Sequence, residues 1–376
     1  MKKKLIFAIL FSFVILETWA QQGKAVIPYR LVGGKMIIEM FVNGTSRNFI
    51  FDTGGQTSLS PELCKEMGLT PFQSIQVKDA NSKDVTYPLV LLESLATPDK
   101  GINFAKVPVL EIGHFSFDCF GVVGLIGSDL FASMIVEIDG KNKLITVTTA
   151  EKQAKASLRR SQPFVDSGRM PLIGLKIGTG NMIKVLFDTG SSGFLGLKID
   201  DYEKLLSAGI LKNVVDGYGE GGLSVGGMAA QSEVHRVGLP DVSFGKTRFT
   251  GIATVTSKAP YTLLGTKLLE YGKVTIDYSR KLFYFEANEE INSLSREYPD
   301  FDIRVKDGDL VVSVVWEKMK GILDVGDKVL KINGKRARKY DFCESITKGI
   351  PELKVDGPIK MTIQTKEGKK VISYKK

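Results

Sequence analysis

The feature that most constrains this chain is one four-residue phrase, Phe-Asp-Thr-Gly, which occurs twice, at 51–54 and at 187–190. Each copy ends a short apolar run that is typical of a strand. Each aspartate is therefore predicted at the point where a buried strand turns sharply at glycine. Two such turns that face each other would bring the carboxylates of Asp52 and Asp188 together.

The phrase belongs to a longer internal repeat. At nearly the same distance after each aspartate stands an apolar-apolar-glycine triplet, at 125–127 and at 263–265. Two strand-like runs separated by a polar turn follow each triplet. These runs are 135–139 and 144–147 in the first copy, and 274–277 and 282–285 in the second. The chain therefore contains one duplicated unit.

Both units are predicted to be rich in β-structure. Alternating apolar and polar residues, with glycine or asparagine at the turns, predict strands. The clearest are 36–42, 85–92, 170–177 and 274–278. Two short helices are predicted, one at 61–67 with Ser60 as N-cap and Pro61 in its first turn, and one at 201–208.

Residues 1–20 are predicted to be a signal peptide, because lysines precede an apolar run at 5–16 and a short exit segment ends at Ala20. No later run approaches the length of a membrane span, so no stable span is expected after cleavage. We therefore expect an exported protein, periplasmic or extracellular.

Composition excludes several classes of function. The formal net charge is +9, but lysines and arginines are scattered without interleaved aromatic residues, which favours a solvated surface over a nucleic-acid site. The three cysteines lack Cys-x-x-Cys spacing, which argues against a zinc site and against a disulfide-dense scaffold. No metal or other cofactor is predicted. In an oxidising compartment Cys64 and Cys119 could pair.

The residue pattern changes after a polar segment at 287–298, which is predicted to be a linker. The predicted elements beyond it are strands at 310–315 and 328–332, the hairpin signal Asn333-Gly334, a helix at 340–349, and a hairpin of 359–365 with 370–374. The segment 299–376 is therefore predicted to be a small α+β domain.

Residues 25–286 resemble the pepsin and retropepsin superfamily of aspartic peptidases, through both Asp-Thr-Gly triplets and both later apolar-apolar-glycine triplets. The resemblance implies a mostly β, bilobal acid-protease β-barrel fold. Its lobes would be 25–150 and 162–286, joined by a polar linker at 151–161.

The resemblance also implies a reaction, hydrolysis of a polypeptide substrate by Asp52 and Asp188. Two close carboxyl groups cannot both ionise easily, so they share one proton and supply one base and one acid. The base takes a proton from a water molecule as it attacks the scissile carbonyl, and the acid stabilises the developing oxygen charge.

Other residues of the two phrases would support the pair. The glycines allow backbone amides to approach the carboxylates. By resemblance, the threonines connect the two turns across the lobes, and the serine after the second phrase donates to the outer carboxylate oxygen. The first lobe departs from that pattern, with Gly55 in place of the serine. The supporting residues are thus Thr53, Gly54, Thr189, Gly190 and Ser191.

A hairpin that covers the site is also expected, since exclusion of water strengthens its electrostatics. The second lobe offers a glycine-rich hairpin tip at 217–222, with Tyr218 and Gly219, and the first offers 81–83 with Tyr87 nearby. The alternative for both tyrosines is packing within the hairpins.

The tail, 299–376, looks like a bacterial PDZ domain through 307–312 and 326–334. Secreted bacterial proteins that join such a peptidase to a PDZ tail have this architecture. The resemblance implies that a peptide C-terminus adds as a strand beside 311–315. The candidate binding residues are Gly308, Asp309, Leu310 and Val311. Only 316–320 separates the strand from Gly321, too short for the usual helix, so the alternatives are that the tail packs on the peptidase or recruits substrate.

A second class of function stays open: a catalytically inactive envelope protein that binds peptides with the same fold. Other candidates are weaker. His114 and His235 have no acidic or cysteine neighbours at ligand spacing. The segment 190–193 lacks a nucleophile elbow. Asp139 and Asp277, at matching places in the repeat, are predicted to begin turns.

Overall fold

The structure is a computed structural model that describes residues 23–375 apart from 79–81, 83, 115, 150–160, 166–168, 225, 226, 229 and 296. The predicted signal peptide and all but Ser161 of the predicted linker at 151–161 lie outside the described residues. The described chain is mostly β-structure, as expected. Within it, no helix is both long enough and apolar enough to cross a membrane.

The first lobe contains ten described strands and two short helices. The strands are β1 (Lys24–Val32), β2 (Lys35–Val42), β3 (Thr45–Asp52), β4 (Ser58–Leu59), β5 (Gln73–Lys78), β6 (Asp84–Ala96), β7 (Asn103–Glu111), β8 (Gly124–Gly127), β9 (Met134–Asp139) and β10 (Leu144–Thr149). The helices are α1 (Pro61–Glu66) and α2 (Ser116–Phe120). Helix α1 begins as predicted, because the Ser60 side chain accepts a hydrogen bond from the Leu63 N–H at 3.2 Å.

The second lobe repeats this arrangement. Its strands are β11 (Gln162–Pro163), β12 (Leu172–Ile177), β13 (Asn181–Phe187), β14 (Leu195–Lys198), β15 (Lys212–Glu220), β16 (Leu223–Ser224), β17 (Gly227–Met228), β18 (Gln231–Gly238), β19 (Val242–Phe244), β20 (Thr247–Thr250), β21 (Ala253–Ser257), β22 (Thr262–Leu264), β23 (Gly272–Asp277), β24 (Leu282–Ala287) and β25 (Ile291–Ser293). Its helix is α3 (Ile199–Ser207). Strand β25 lies inside the predicted linker at 287–298 and pairs with β20, so this part of the linker belongs to the lobe.

A sheet shared by both lobes joins them, in the order β11-β24-β23-β9-β10-β1. Strands β9 and β23 pair antiparallel across the boundary, with Val274 opposite Ile138 and Ile276 opposite Val136. These four side chains are completely buried. The repeated strand pairs that the sequence predicted thus form the joint between the lobes, and one apolar core runs through both.

The tail is a separate small unit with its own apolar core. Its elements are β26 (Phe301–Lys306), β27 (Asp309–Trp316), β28 (Lys328–Ile332), β29 (Lys335–Arg336), α4 (Phe342–Thr347), β30 (Ile359–Thr365) and β31 (Gly368–Tyr374). The turn between β28 and β29 is Asn333-Gly334, where both residues have positive φ, 48° and 81°, as the sequence predicted.

The tail is docked on the second lobe by strand pairing. The end of β27 pairs antiparallel with β15, with Tyr218 opposite Val315 and Gly219 opposite Val314. Beside this junction the Arg236 guanidinium lies 4.0 Å from the centre of a Trp316 ring. Trp316 is 1% exposed, so its side of this contact is buried.

A disulfide connects the tail to the first lobe. It joins Cys119 in α2 to Cys343 in α4, whose Cα atoms lie 4.7 Å apart. The suggested pairing of Cys64 with Cys119 is therefore wrong. Cys64 is a buried free thiol in α1, and burial raises its pKa to about 11. The sequence could not show this because the true partners are separated by 224 residues.

Candidate active site

The two aspartates lie at equivalent strand ends. Strand β3 ends at Asp52, and β13 ends one residue before Asp188. Each of these strands pairs in parallel with the strand of an apolar-apolar-glycine triplet, β3 with β8 and β13 with β22. The glycine of the triplet is needed because the active-site loop crosses it, and a Cβ on Gly127 would lie 2.5 Å from the carbonyl oxygen of Gly55.

The two carboxyl groups face each other across the lobes. A Cβ on Gly190 would lie 2.5 Å from Asp52 Oδ2, and a Cβ on Gly54 would lie 2.7 Å from Asp188 Cγ. Each glycine also donates its N–H to the aspartate of its own phrase, Gly54 to Asp52 at 3.0 Å and Gly190 to Asp188 at 2.7 Å. Any side chain at either glycine would push the pair apart.

The two threonines connect the turns by four reciprocal hydrogen bonds. The Thr53 N–H donates to Thr189 Oγ1 at 2.9 Å, and the Thr189 N–H donates to Thr53 Oγ1 at 3.0 Å. Each hydroxyl in turn donates to a carbonyl of the opposite lobe, Thr53 to Phe187 at 2.7 Å and Thr189 to Phe51 at 2.8 Å. Both threonines are buried, so these bonds fix the spacing of the aspartates.

We expect Thr53→Val or Thr189→Val to lower the free energy of unfolding by about 3 kcal/mol, because each leaves a buried N–H and a buried carbonyl without a partner. Urea denaturation monitored by tryptophan fluorescence measures the change. Thr→Ser at the same positions is the control, since it keeps the hydroxyl. Equal losses for the valine and serine variants would show that packing, rather than the hydrogen bonds, carries the effect.

The pKa of Asp188 is raised well above its ordinary value. Burial is the largest cause, followed by the negative charge of Asp52 and the hydrogen bond between the two side chains. Lys35 and the Gly190 N–H act in the opposite direction. The two carboxyl groups therefore titrate as a pair, and the raised pKa of Asp188 favours one proton shared between them.

The residues after the two phrases differ, as the sequence indicated. A Cβ on Gly55 would lie 3.0 Å from Asp52 Cγ, so a serine here would place its hydroxyl beside Asp52. Ser191 contacts the site through its backbone: its N–H donates to the carbonyl of Asp188, and its own carbonyl accepts from Thr266. The expected bond from the Ser191 hydroxyl to the outer carboxylate oxygen stays a prediction.

Sequence reasoning missed several groups around the pair. Asp129 follows the first glycine triplet, accepts two hydrogen bonds from Thr57 at 2.8 and 2.9 Å, and has its pKa raised by burial. The Tyr278 hydroxyl is buried with no hydrogen-bond partner among the described residues; burial and the charges of Asp129 and Asp52 raise its pKa. The Ser128–Asp129 dipeptide after the triplet was the available signal for Asp129; none pointed to Tyr278.

Lys35 is the other missed residue. It begins β2, and its Nζ donates to the carbonyl oxygen of Gly190. No local pattern singles out this lysine among the 51 lysines and arginines of the chain, because its partner lies in the other lobe.

The predicted flap residues lie in two hairpins with different surroundings. Tyr87 in β6 packs inside the first hairpin, against Leu110 and Ile112, and is 9% exposed. This hairpin reaches the other lobe, because Ser82 Oγ donates to the carbonyl of Lys258 at 2.6 Å. Asn81 and Lys83, the neighbours of Ser82 in the predicted tip, lie outside the described residues.

The glycine-rich segment 217–222 is not a hairpin tip. Gly217 and Gly219 lie within β15, and the hairpin continues to β16 and β17. Tyr218 is half-exposed beside the tail. The glycines are required by the tail instead: a Cβ on Gly217 would lie 2.5 Å from the Trp316 ring, and one on Gly219 would lie 2.6 Å from Val314 Cα.

The predicted peptide position beside 311–315 is occupied by the protein itself. Val314 and Val315 pair with β26 on one edge of β27 and with β15 on the other. Val311 pairs with β26 and β28. A peptide strand could enter there only by displacing β15 of the second lobe and a strand of the tail, so the predicted peptide position is wrong.

The candidate residues for peptide binding already have contacts within the tail. Leu310 is buried, and the Gly308 carbonyl accepts from the Tyr340 N–H at 2.8 Å. Asp309 forms ion pairs with Lys328 at 2.7 Å and Lys339 at 2.9 Å. Its carboxylate is thus already occupied by contacts within the tail.

The weaker candidates take structural positions. Asp139 accepts from the Asn142 N–H and Asp277 from the Arg280 N–H, both at 2.9 Å, so each begins a turn as predicted. His235 does have an acidic neighbour in space, because its Nδ1 lies 2.8 Å from Asp216 Oδ1. Its ring stacks on Tyr202, so it belongs to the packing of the second lobe.

Comparison with known proteins gives a family match that lies in the first lobe. Residues 38–130 match the family model described as aspartyl protease, and this segment includes Asp52 and the first glycine triplet. Among solved structures, the chain is similar to a retropepsin-like aspartic protease from Rickettsia conorii at 20% identity, with a TM-score of 0.26, over 35% of this chain and 96% of that chain. No curated protein matches in sequence. In sequence, this segment of the first lobe is thus similar to aspartyl proteases.

Proposed function

We propose that this protein is an exported aspartic endopeptidase that hydrolyses peptide bonds through a water molecule activated by Asp52 and Asp188. One observation carries the proposal: each phrase glycine packs against the carboxyl group of the opposite lobe, so the two acids share one site. The aspartyl protease match over 38–130 supports it.

In the proposed reaction Asp188 begins protonated and Asp52 begins ionised. Asp52 accepts a proton from the bound water while the water oxygen bonds to the scissile carbonyl carbon, and Asp188 donates its proton to the carbonyl oxygen. The C–N bond then breaks as the proton on Asp52 moves to the leaving nitrogen. Asp188 recovers a proton from the hydroxyl group as the new carboxylic acid forms. Both acids return to their starting states.

The tail has a bracing role in this proposal, in place of peptide capture. It pairs with β15 of the second lobe and is bonded through Cys343 to the first. Arg304 adds an ion pair to Glu220 at 2.6 Å at the end of β15. The tail therefore restrains the hairpin that contains β15, and we propose regulation of the cleft as its function.

Export is supported by the disulfide between Cys119 and Cys343, because such bonds persist in oxidising compartments. The proposal extends to either the periplasm or the extracellular medium.

The test is cleavage of a peptide library from pH 3 to 8, with products mapped by mass spectrometry. We expect internal cleavage that declines at low pH, where both acids are protonated, and declines again as the pair loses its shared proton. Because the pKa of Asp188 is raised, that proton is retained above the usual range of an aspartate, so activity should extend toward neutral pH. Absence of products at every pH would refute the proposal.

A peptide-binding protein is the second candidate. Gly55 favours it, because the first lobe has no side-chain hydroxyl at this position beside Asp52. Retention of library peptides without any products, in the same assay, would support binding alone.

A further inference from the structure

The turn before Lys35 is held on two sides. Gly33 and Gly34, with φ of 55° and 80°, join β1 to β2. On one side, Thr266 Oγ1 donates to the Gly34 carbonyl at 3.1 Å, and a Cβ on Gly34 would lie 2.5 Å from Ser192 Cβ. On the other side, a Cβ on Gly33 would clash with the carbonyl oxygen of Ile346 in α4. The start of β2 is therefore fixed between the second lobe and the tail.

This turn directs Lys35 across the lobe boundary toward the aspartates. Its half-buried Nζ donates to the carbonyl of Gly190. The N–H of Gly190 donates to Asp188 at 2.7 Å, and its Cα faces the Asp52 carboxylate. Gly190 thus contacts Asp52, Asp188 and the ammonium of Lys35.

The arrangement has no equivalent in the second lobe. The residue that stands as far before Asp188 as Lys35 stands before Asp52 is Pro171, which carries no charge. Other ionisable groups near the pair are Asp129 and Tyr278, and Arg169 acts on Asp129. Among the groups that act on Asp188, Lys35 is the cation.

We propose that Lys35 is a positioning residue of the dyad, whose ammonium fixes the Gly190 peptide and balances the single negative charge that Asp52 and Asp188 share. The inference rests on the proposed function and deepens it. A fixed positive charge beside a buried pair favours its ionised form and orients the hydrogen bond that holds Asp188.

Removal of the charge should change both rate and pH dependence. We expect Lys35→Met to lower kcat about tenfold or more with a smaller change in KM, because a displaced Gly190 peptide misplaces Asp188. The whole pH profile should move upward by about one unit, since loss of the cation makes protons harder to remove from the pair. Lys35→Arg should restore the wild-type pH profile. Lys184→Met, which removes an exposed lysine from β13, is the matched control.

A second measurement is independent of proteolysis. At pH 7 the melting temperature should fall about 2 °C more for Lys35→Met in the wild-type background than in Asp52→Asn/Asp188→Asn, where no charge is left to balance. At pH 3 this difference should shrink. An unchanged pH profile in an active enzyme, or no difference between the two backgrounds, would overturn the proposal for Lys35. A clear difference in a protein that never cleaves peptides would uphold the Lys35 contact and refute the proposed peptidase.

Discussion

Asp52→Asn and Asp188→Asn should each reduce kcat by about ten-thousand-fold, because an amide can neither accept the proton of the water nor supply one to the carbonyl oxygen. Both substitutions keep the size of the side chain and leave the cross-lobe bonds of Thr53 and Thr189 in place. The measurement is cleavage of the best library peptide under saturating conditions.

The control for these variants is Asp200→Asn, which removes a carboxylate with an exposed side chain from the first turn of α3 and should leave kcat unchanged. Stability provides a further check. Since the pKa of Asp188 is raised in the folded protein, its ionisation opposes folding as pH rises above the unfolded value. Asp188→Asn should therefore raise the melting temperature at neutral pH and have less effect in acid. Retention of a tenth of the activity in either dyad variant would rule out the shared-proton mechanism.

Loss of the disulfide should have the largest effect on stability. In Cys119→Ala/Cys343→Ala we expect the free energy of unfolding to fall by about 2–5 kcal/mol, toward the upper end because the bond closes a long loop. The separation of 224 residues means that the unfolded chain gains much freedom when the bond is absent. Denaturation in urea gives the value.

Dithiothreitol separates this effect from simple loss of packing. It should lower the stability of the wild type and of Cys64→Ala, and leave the double alanine variant unaffected. Alkylation without reductant should label Cys64 alone after unfolding. Labelling of Cys119 and Cys343 in the protein as isolated would contradict the bond.

The sequence predicted those parts of the fold that local patterns determine. The cap of α1 was predictable because Ser60 and Pro61 suit the first turn of a helix. The strand ends at both aspartates were predictable because glycine follows each apolar run, and the joint between the lobes appeared as a repeat. Duplication made long-range structure visible, since the same strand pairs occur twice.

The predictions that failed concern contacts between segments that lie far apart in the sequence. The glycines at 217 and 219 suggested a hairpin tip over the site, whereas their small size allows Trp316 and Val314 to pack against β15. The strand at 311–315 suggested a free edge, whereas both edges are paired. Lys35 gave no signal because its partner is a backbone carbonyl of the other lobe. Composition and periodicity carry no information on such pairings.

The docking of the tail makes the two sides of the aspartate pair unequal. The strands and turns around Asp52 and Asp188 obey an approximate twofold symmetry, under which a peptide and its reverse would be equivalent. The tail breaks this equivalence, because it adds a strand to β15 on one side and a covalent bond to α2 on the other. A bound polypeptide would therefore contact different surfaces toward its N-terminal and C-terminal ends. We expect it to bind in one backbone direction.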